Sequence, residues 1–379
     1  MKIKKIKWSI AVICCFSLTY SCKKTDSPTP APKPDPLVNT IPEFYTPQKV
    51  ADYGKNAPAF TLIANSSQKI SLPQDLDFNP LKLEQLWIIN KGDINTGGST
   101  VMLTNPGTPQ MAYDLRQDGN AWHFMLLPMS VAFSSNGNWC TTTGALSDNH
   151  DATIYSGPAL WSSDLSIYAI PNGGNGSHID MVHQSPYCMG VASDTLNKFW
   201  VFDGYHGNII SYDFVKPHLP GGSDHSSAVV HRYTEATVKM TSDIPSHVIL
   251  DHKTGWLYVA VTAEKKIYRL NTKTGTKYQD LTPYSLEPLT EYSEYRGATW
   301  EVFEDANMQK PSGIEIKDNR LFVSDYGNGD IIAFDLVTKK KIARINTGSA
   351  GIAGIKVGPD NKLWYVNSTS STLYRVDPK

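Results

Sequence analysis

Leu321-Phe322-Val323-Ser324-Asp325-Tyr326-Gly327-Asn328-Gly329-Asp330-Ile331-Ile332-Ala333-Phe334-Asp335 reads as two short apolar strands joined by a polar, glycine-rich turn. Its aromatic Phe322 and its closing Asp335 stand thirteen positions apart. The same two-point spacing recurs at Trp200 and Asp213, Tyr258 and Asn271, and Trp364 and Asp377. The aromatic is expected to end one strand and the Asp or Asn to close the next. A hairpin of fixed length, repeated at intervals of about 40–65 residues, marks a radial or stacked β-repeat.

Working outward, each hairpin follows a short apolar run opened by Pro or Gly: Pro186–Ala192, Pro245–Leu250, Pro311–Ile316 and Gly351–Val357. Small residues and a leading Pro suit an inner strand crowded around an axis. Two weaker copies lie upstream, Pro73–Phe78 leading to Trp87 and Met129–Phe133 leading to Trp139. Six units result. The last ends just after Asp377, without an outer strand, and a propeller would borrow one from the other end of the chain. Ala59–Ala64 has the composition for that role. The expected fold is therefore all-β, a six-bladed β-propeller over residues 49–379 closed by an N-terminal strand. A right-handed β-helix would need shorter and more uniform rungs.

The Leu321–Asp335 pattern resembles the repeat of NHL-type propellers, and Phe199–Asp213 and Leu257–Asn271 resemble it less closely. The likeness covers the four C-terminal units well and the first two poorly. It implies a fold more than a function, since such propellers include binding scaffolds, lyases and hydrolases. Amidating lyases of this kind hold zinc through a His directly after the inner-strand Pro. Here His247 stands one place later, and Pro186 and Pro311 precede Tyr187 and Ser312, so that activity is not implied.

The N-terminus reads as a targeting segment. Met1–Lys7 is basic and Trp8–Leu18 apolar, too short to span a bilayer. Leu18-Thr19-Tyr20-Ser21-Cys22 resembles a bacterial lipobox of the looser Bacteroidota form, which implies a signal peptide over 1–21 and lipidation of Cys22; an ordinary cleaved signal peptide is the alternative. Residues 22–48 then form a tether, with Pro at every second position from Pro28 to Pro36. About twenty residues of polyproline-type chain at about 3.1 Å each reach roughly 60 Å. The expected location is the bacterial cell envelope, with the membrane as partner through Cys22. The propeller is expected to be monomeric, on the periplasmic side or the outer-membrane surface.

The formal charge of −1 becomes −5 once residues 1–21, with their four lysines, are removed. That balance argues against a nucleic-acid partner. Apart from Cys14, Cys15 and Cys22, only Cys140 and Cys188 remain, either as a disulfide or as two buried thiols.

Most of the ten histidines fall between 178 and 247. His178, Asp180, His183, Asp203, His206 and His247 belong to loops expected on one face, around the channel mouth, where imidazole and carboxylate would suit zinc, or calcium if oxygen dominates. Asp224-His225 follows the third strand of its unit and is expected on the opposite face unless the insertion 216–227 folds back. Asp203 and Asp325 also occupy a position where the repeat uses Asp structurally. The stretch Tyr292–Gly297 reads as a solvated loop or a ligand-pocket wall, and Trp161 as a plug for the second-unit insertion or an exposed contact. There is no HExxH, no GxSxG elbow and no EF-hand loop. Two functions remain open: a tethered scaffold binding a protein, peptide or glycan at the channel face, or a metal-dependent hydrolase or lyase using the His/Asp cluster.

Overall fold

The thirteen-residue spacing is a hairpin register. In the computed structural model, which describes residues 58–148, 154–170, 175–235, 237–284, 287–304 and 308–377, Lys198 pairs with Asp213, Trp256 with Asn271 and Arg320 with Asp335. Trp200, Tyr258 and Phe322 therefore sit third in their strands and Trp364 second, rather than ending them, with their side chains buried between blades. The closing Asp or Asn earns its place chemically. Asp335 Oδ1 accepts from the amides of Val337 and Thr338, Asp213 Oδ1 from Val215 and Asn271 Oδ1 from Lys273. These Asx-turns start the reversal toward the outer strand. The signal segment 1–21, Cys22 and the tether 22–48 lie outside the described residues.

Six sheets result. Blade one is β2 (Pro73–Phe78), β3 (Gln85–Asp93), β4 (Gly97–Thr104) and β5 (Ala112–Arg116), followed by the short helix α1 (Ala121–Phe124). Blade two is β6 (Pro128–Phe133), β7 (Asn138–Thr143), β8 (Ala159–Ser162) and a two-residue β9 (Asp180–Met181). Blade three begins with β10 (Cys188–Ser193), β11 (Lys198–Asp203), β12 (Asn208–Asp213) and β13 (Val229–Tyr233). Blade four is β14 (Val248–Asp251), β15 (Trp256–Val261), β16 (Lys266–Asn271) and β19 (Trp300–Glu304). Blade five is β20 (Pro311–Lys317), β21 (Arg320–Asp325), β22 (Asp330–Asp335) and β23 (Lys341–Asn346). Blade six is β24 (Ile352–Val357), β25 (Leu363–Asn367) and β26 (Thr372–Asp377), completed by β1 (Ala59–Ala64) antiparallel to β26. The fold is a six-bladed β-propeller closed by its N-terminal strand.

Inner strands touch around the axis, which is why they are rich in small residues. A Cβ on Gly313 of β20 would lie 2.3 Å from the Ala353 carbonyl of β24, so only glycine fits.

Blade three departs from the repeat. The blade-four insertion forms a hairpin, β17 (Thr276–Asp280) and β18 (Glu291–Arg296), and β18 adds parallel to β13 to make a six-stranded sheet. Tyr292–Arg296 is thus strand rather than loop, with Tyr292 buried and bonded through its hydroxyl to Arg232 Nε at 2.9 Å. Trp161 is fully buried among Trp139, Tyr168 and Trp87, and its Nε1 donates to Thr141 Oγ1 at 2.8 Å. Cys140 and Cys188 are free, buried thiols in one apolar cluster, with no disulfide between them.

Candidate functional site

The histidines are sorted by β9. A strand of two residues spans only about 7 Å, so the segments before and after it stay close together. His178 precedes it and His183 follows it. The insertion 216–227 then folds back against the same edge: the His218 amide donates to the Ile179 carbonyl at 3.0 Å and the Gly221 amide to the His178 carbonyl at 2.9 Å. Ser227 Oγ closes the base of this loop on the Phe214 and Lys216 carbonyls, each at 3.0 Å. His225 is carried with it. Of the pair set apart by strand counting, His225 therefore joins the cluster, while Asp224 stays exposed and accepts from Ser226.

Three imidazoles converge here, and one ligand nitrogen from each of His178, His218 and His225 lies within 4.8 Å of the others. In each ring Nδ1 is engaged: by the Asn175 carbonyl at 2.9 Å, by the Leu219 carbonyl at 2.6 Å and by Asp180 Oδ1 at 2.8 Å. An acceptor at Nδ1 fixes the proton there and leaves the Nε2 lone pair free. His178 is 1% exposed, and its Nε2, like that of His218, has no hydrogen-bond partner among the described residues. Phe124 of α1 stacks on His178 with centroids 3.6 Å apart, and Asp118 braces the approach by accepting from the Ser177 amide and hydroxyl. Burial, helped by the neighbouring His218, pushes the His178 pKa down to about 2, and burial likewise lowers that of His218. Both are neutral at pH 7.

His183 behaves in the opposite way. Its Nδ1 lies 2.9 Å from Glu287 Oε1 and its Nε2 3.1 Å from Asp148 Oδ2. Burial works against its charge, but the two carboxylates outweigh burial and hold its pKa up to about 10. His183 is an imidazolium clamped between anions. His123 stands beside Asp148, with 3.9 Å from Nδ1 to Oδ1. Together His123, Phe124, His178, His183 and His225 line a cavity of about 260 Å³, with the half-exposed Trp122 at its edge.

Asp203 and His206 form a second group. Asp203 Oδ1 accepts from the Tyr205 and His206 amides at 3.0 Å, shaping the turn, while its Oδ2 takes His206 Nδ1 at 2.7 Å and Arg232 Nη1 at 2.8 Å. His206 Nε2 reaches the Tyr284 hydroxyl at 3.0 Å. Tyr155 packs on Tyr284 with centroids 4.3 Å apart and on Tyr205 at 5.7 Å. Tyr205 is 53% exposed and Tyr284 37%, which makes an aromatic patch open to solvent. Gln184 ties this patch to the His183 clamp, donating to Glu287 Oε2 at 2.8 Å and accepting from the Tyr284 amide at 2.9 Å.

His247 belongs to neither group. It lies in the axial channel, a cavity of about 440 Å³ lined by the inner strands, with Nε2 2.9 Å from the Met129 carbonyl and Nδ1 3.6 Å from Asp75 Oδ1. Of the six residues expected to cluster at the channel mouth, the structure brings His178, Asp180 and His183 together on the outer edge of blade two. It separates Asp203 with His206, and puts His247 on the axis. Sequence reasoning missed His123, Asp148, His218 and Glu287. Only the local density of histidine pointed toward His218.

No family model matches the chain, and no curated protein matches it in sequence. Solved structures do match in fold. Auxiliary nutrient binding proteins from Bacteroides ovatus and Bacteroides thetaiotaomicron each superpose with a TM-score of 0.56 at 9% identity, over 86% of this chain and 78% and 77% of theirs. A structural-genomics protein of unknown function from Bacteroides thetaiotaomicron matches with a TM-score of 0.52 at 9% identity, over 86% of this chain and 77% of that one. At such identity the likeness extends to the propeller architecture.

Proposed function

We propose that the chain is an envelope lipoprotein, anchored through Cys22 and raised on the tether 22–48, whose NHL-like propeller binds a glycan or peptide ligand without transforming it. The observation that carries this reading is the tyrosine patch. Tyr155, Tyr205 and Tyr284 come from three separate segments, and the bonded His206 and Gln184 hold them in place. Rigid, half-exposed tyrosines present broad apolar faces with polar tips at low entropic cost, which suits sugar rings and peptide planes. The named role of the Bacteroides neighbours, auxiliary nutrient binding, is of the same kind.

The test is calorimetric titration of the detergent-solubilised full chain with oligosaccharide and peptide pools, repeated with Tyr205→Ala and Tyr284→Ala. We expect one pool to bind and each variant to lose about tenfold in affinity, or about 1.4 kcal/mol. Binding that survives both substitutions would move the site elsewhere, and the absence of binding by either pool would remove the reading.

A further inference from the structure

We propose that His178, His218 and His225 bind one zinc-class divalent cation through their Nε2 atoms. This site stands apart from the tyrosine patch and does not rest on the ligand-binding reading.

The argument begins with an unmet valence. A buried imidazole ordinarily finds partners for both nitrogens, because a buried lone pair without one costs free energy. Here Nε2 of His178 and of His218 are both buried without a partner among the described residues. They belong to the same trio of converging ligand atoms. One ligand nitrogen from each of the three rings lies within 4.8 Å of the others, and lone pairs gathered that closely repel unless a cation takes them up.

The supporting shell is that of a metal site. Metal-binding histidines donate the second ring N–H to a carbonyl or carboxylate, which sets the tautomer and raises ligand basicity. All three rings do so, two onto carbonyls and His225 onto Asp180. Asp180 is 0% exposed; its Oδ1 takes His225 Nδ1 and the Met181 amide, and its Oδ2 carries no hydrogen bond among the described residues, so a carboxylate with one free oxygen stands directly behind the site.

Donor chemistry narrows the ion. Three imidazoles with no oxygen ligand among them suit zinc, copper or nickel and disfavour calcium and magnesium, which take oxygen ligands. Three protein ligands leave one tetrahedral position open. The cavity lined by His178 and His225 gives that position access to solvent or to an incoming ligand atom.

The neighbouring trio of His123, Asp148 and His183 has similar spacing and is not assigned a metal. Both nitrogens of His183 already face carboxylates, so a cation there would have to displace an imidazolium. The contrast predicts one equivalent of metal rather than two.

The test uses the full chain in detergent, stripped with chelator and titrated first with Co²⁺ and then with Zn²⁺. We expect visible ligand-field absorption of tetrahedral cobalt that saturates near one equivalent and is abolished by Zn²⁺. His218→Ala and His225→Ala should lose the signal while remaining folded by circular dichroism, because both lie in the 214–228 loop. Asp180→Asn should weaken zinc about 10–100-fold, and His252→Ala, at an exposed turn, should bind as the unaltered protein does. A folded, unaltered protein without the cobalt signal would overturn the proposal. So would a signal that persists in both His218→Ala and His225→Ala, or one that His252→Ala removes.

Discussion

The axial channel and the outer edge of blade two both bury histidine beside carboxylate, yet they resolve the charges differently. In the channel each charge has a counterpart. Lys356 Nζ lies 3.1 Å from Asp77 Oδ1 and 3.2 Å from Glu315 Oε2. Asp75 Oδ2 accepts from Ser130 Oγ and the Val131 amide, and Asp77 Oδ2 from the Phe133 amide, so both carboxylates stitch blade one to blade two. Burial works against the charge of Lys356, but the Asp77 and Glu315 carboxylates hold its pKa well above the usual range. At the blade-two edge His183 is likewise paired in charge with Asp148 and Glu287, while His178 and His218 keep their Nε2 lone pairs. Polar groups satisfied from within hold a fold together; groups left unsatisfied are available to something from outside.

Breaking the support beneath the edge should have the largest effect. Trp161 packs under His178 with ring centroids 6.5 Å apart, inside the tryptophan cluster of blades one and two. Trp161→Ala should cost about 3–5 kcal/mol of stability by urea denaturation, as truncation of a buried aromatic does. It should also weaken metal binding, because the ring that bounds His178 is gone.

Lys356→Met is expected to come next, at about 3 kcal/mol, since it leaves two buried carboxylates facing each other without a cation. Metal stoichiometry should not change. If it did, the channel and the edge would be coupled and the contrast would fail.

The His183 clamp should show in pH dependence. Its folded pKa of about 10 exceeds the 6.5 of an unperturbed imidazole, so its contribution is complete below pH 6.5 and is lost as pH rises toward 10. Glu287, buried yet held below its usual range by His183 and Gln184, contributes above pH 4.5 and loses that contribution as pH falls. The stability difference between the unaltered protein and His183→Gln should therefore be widest between about pH 4.5 and 6.5. A difference that stays flat from pH 6 to pH 10 would mean that His183 is neutral.

Tyr205→Ala is expected to do least to the fold. It is a half-exposed surface ring, and its removal should shift stability by no more than about 0.5 kcal/mol. Lost ligand affinity at unchanged stability would mark it as a binding residue alone.

Much of the architecture was legible because its causes are local. The closing Asp335, Asp213 and Asn271 make turns with amides two or three residues on, so their spacing reports the hairpin directly. Ala59–Ala64 could be assigned to closure because an apolar strand without a partner needs an edge. The docking of the β17–β18 hairpin was not legible, since β18 joins its sheet through β13, some sixty residues earlier. Trp161 could be read either as packed or as exposed, because a tryptophan's surroundings are not written beside it.

The candidate site divides in the same way. The amino-acid sequence by itself determined the repeat, the number of blades and the region where histidines gather, because short-range turn chemistry and strand patterning act within a few residues. Only the tertiary structure decided which histidines meet. Shortening β9 to two residues and folding 216–227 back beside it brought His178, His218 and His225 together and left His206 and His247 elsewhere. Convergence of side chains depends on backbone paths that are long in sequence and short in space, and no residue spacing encodes such a distance.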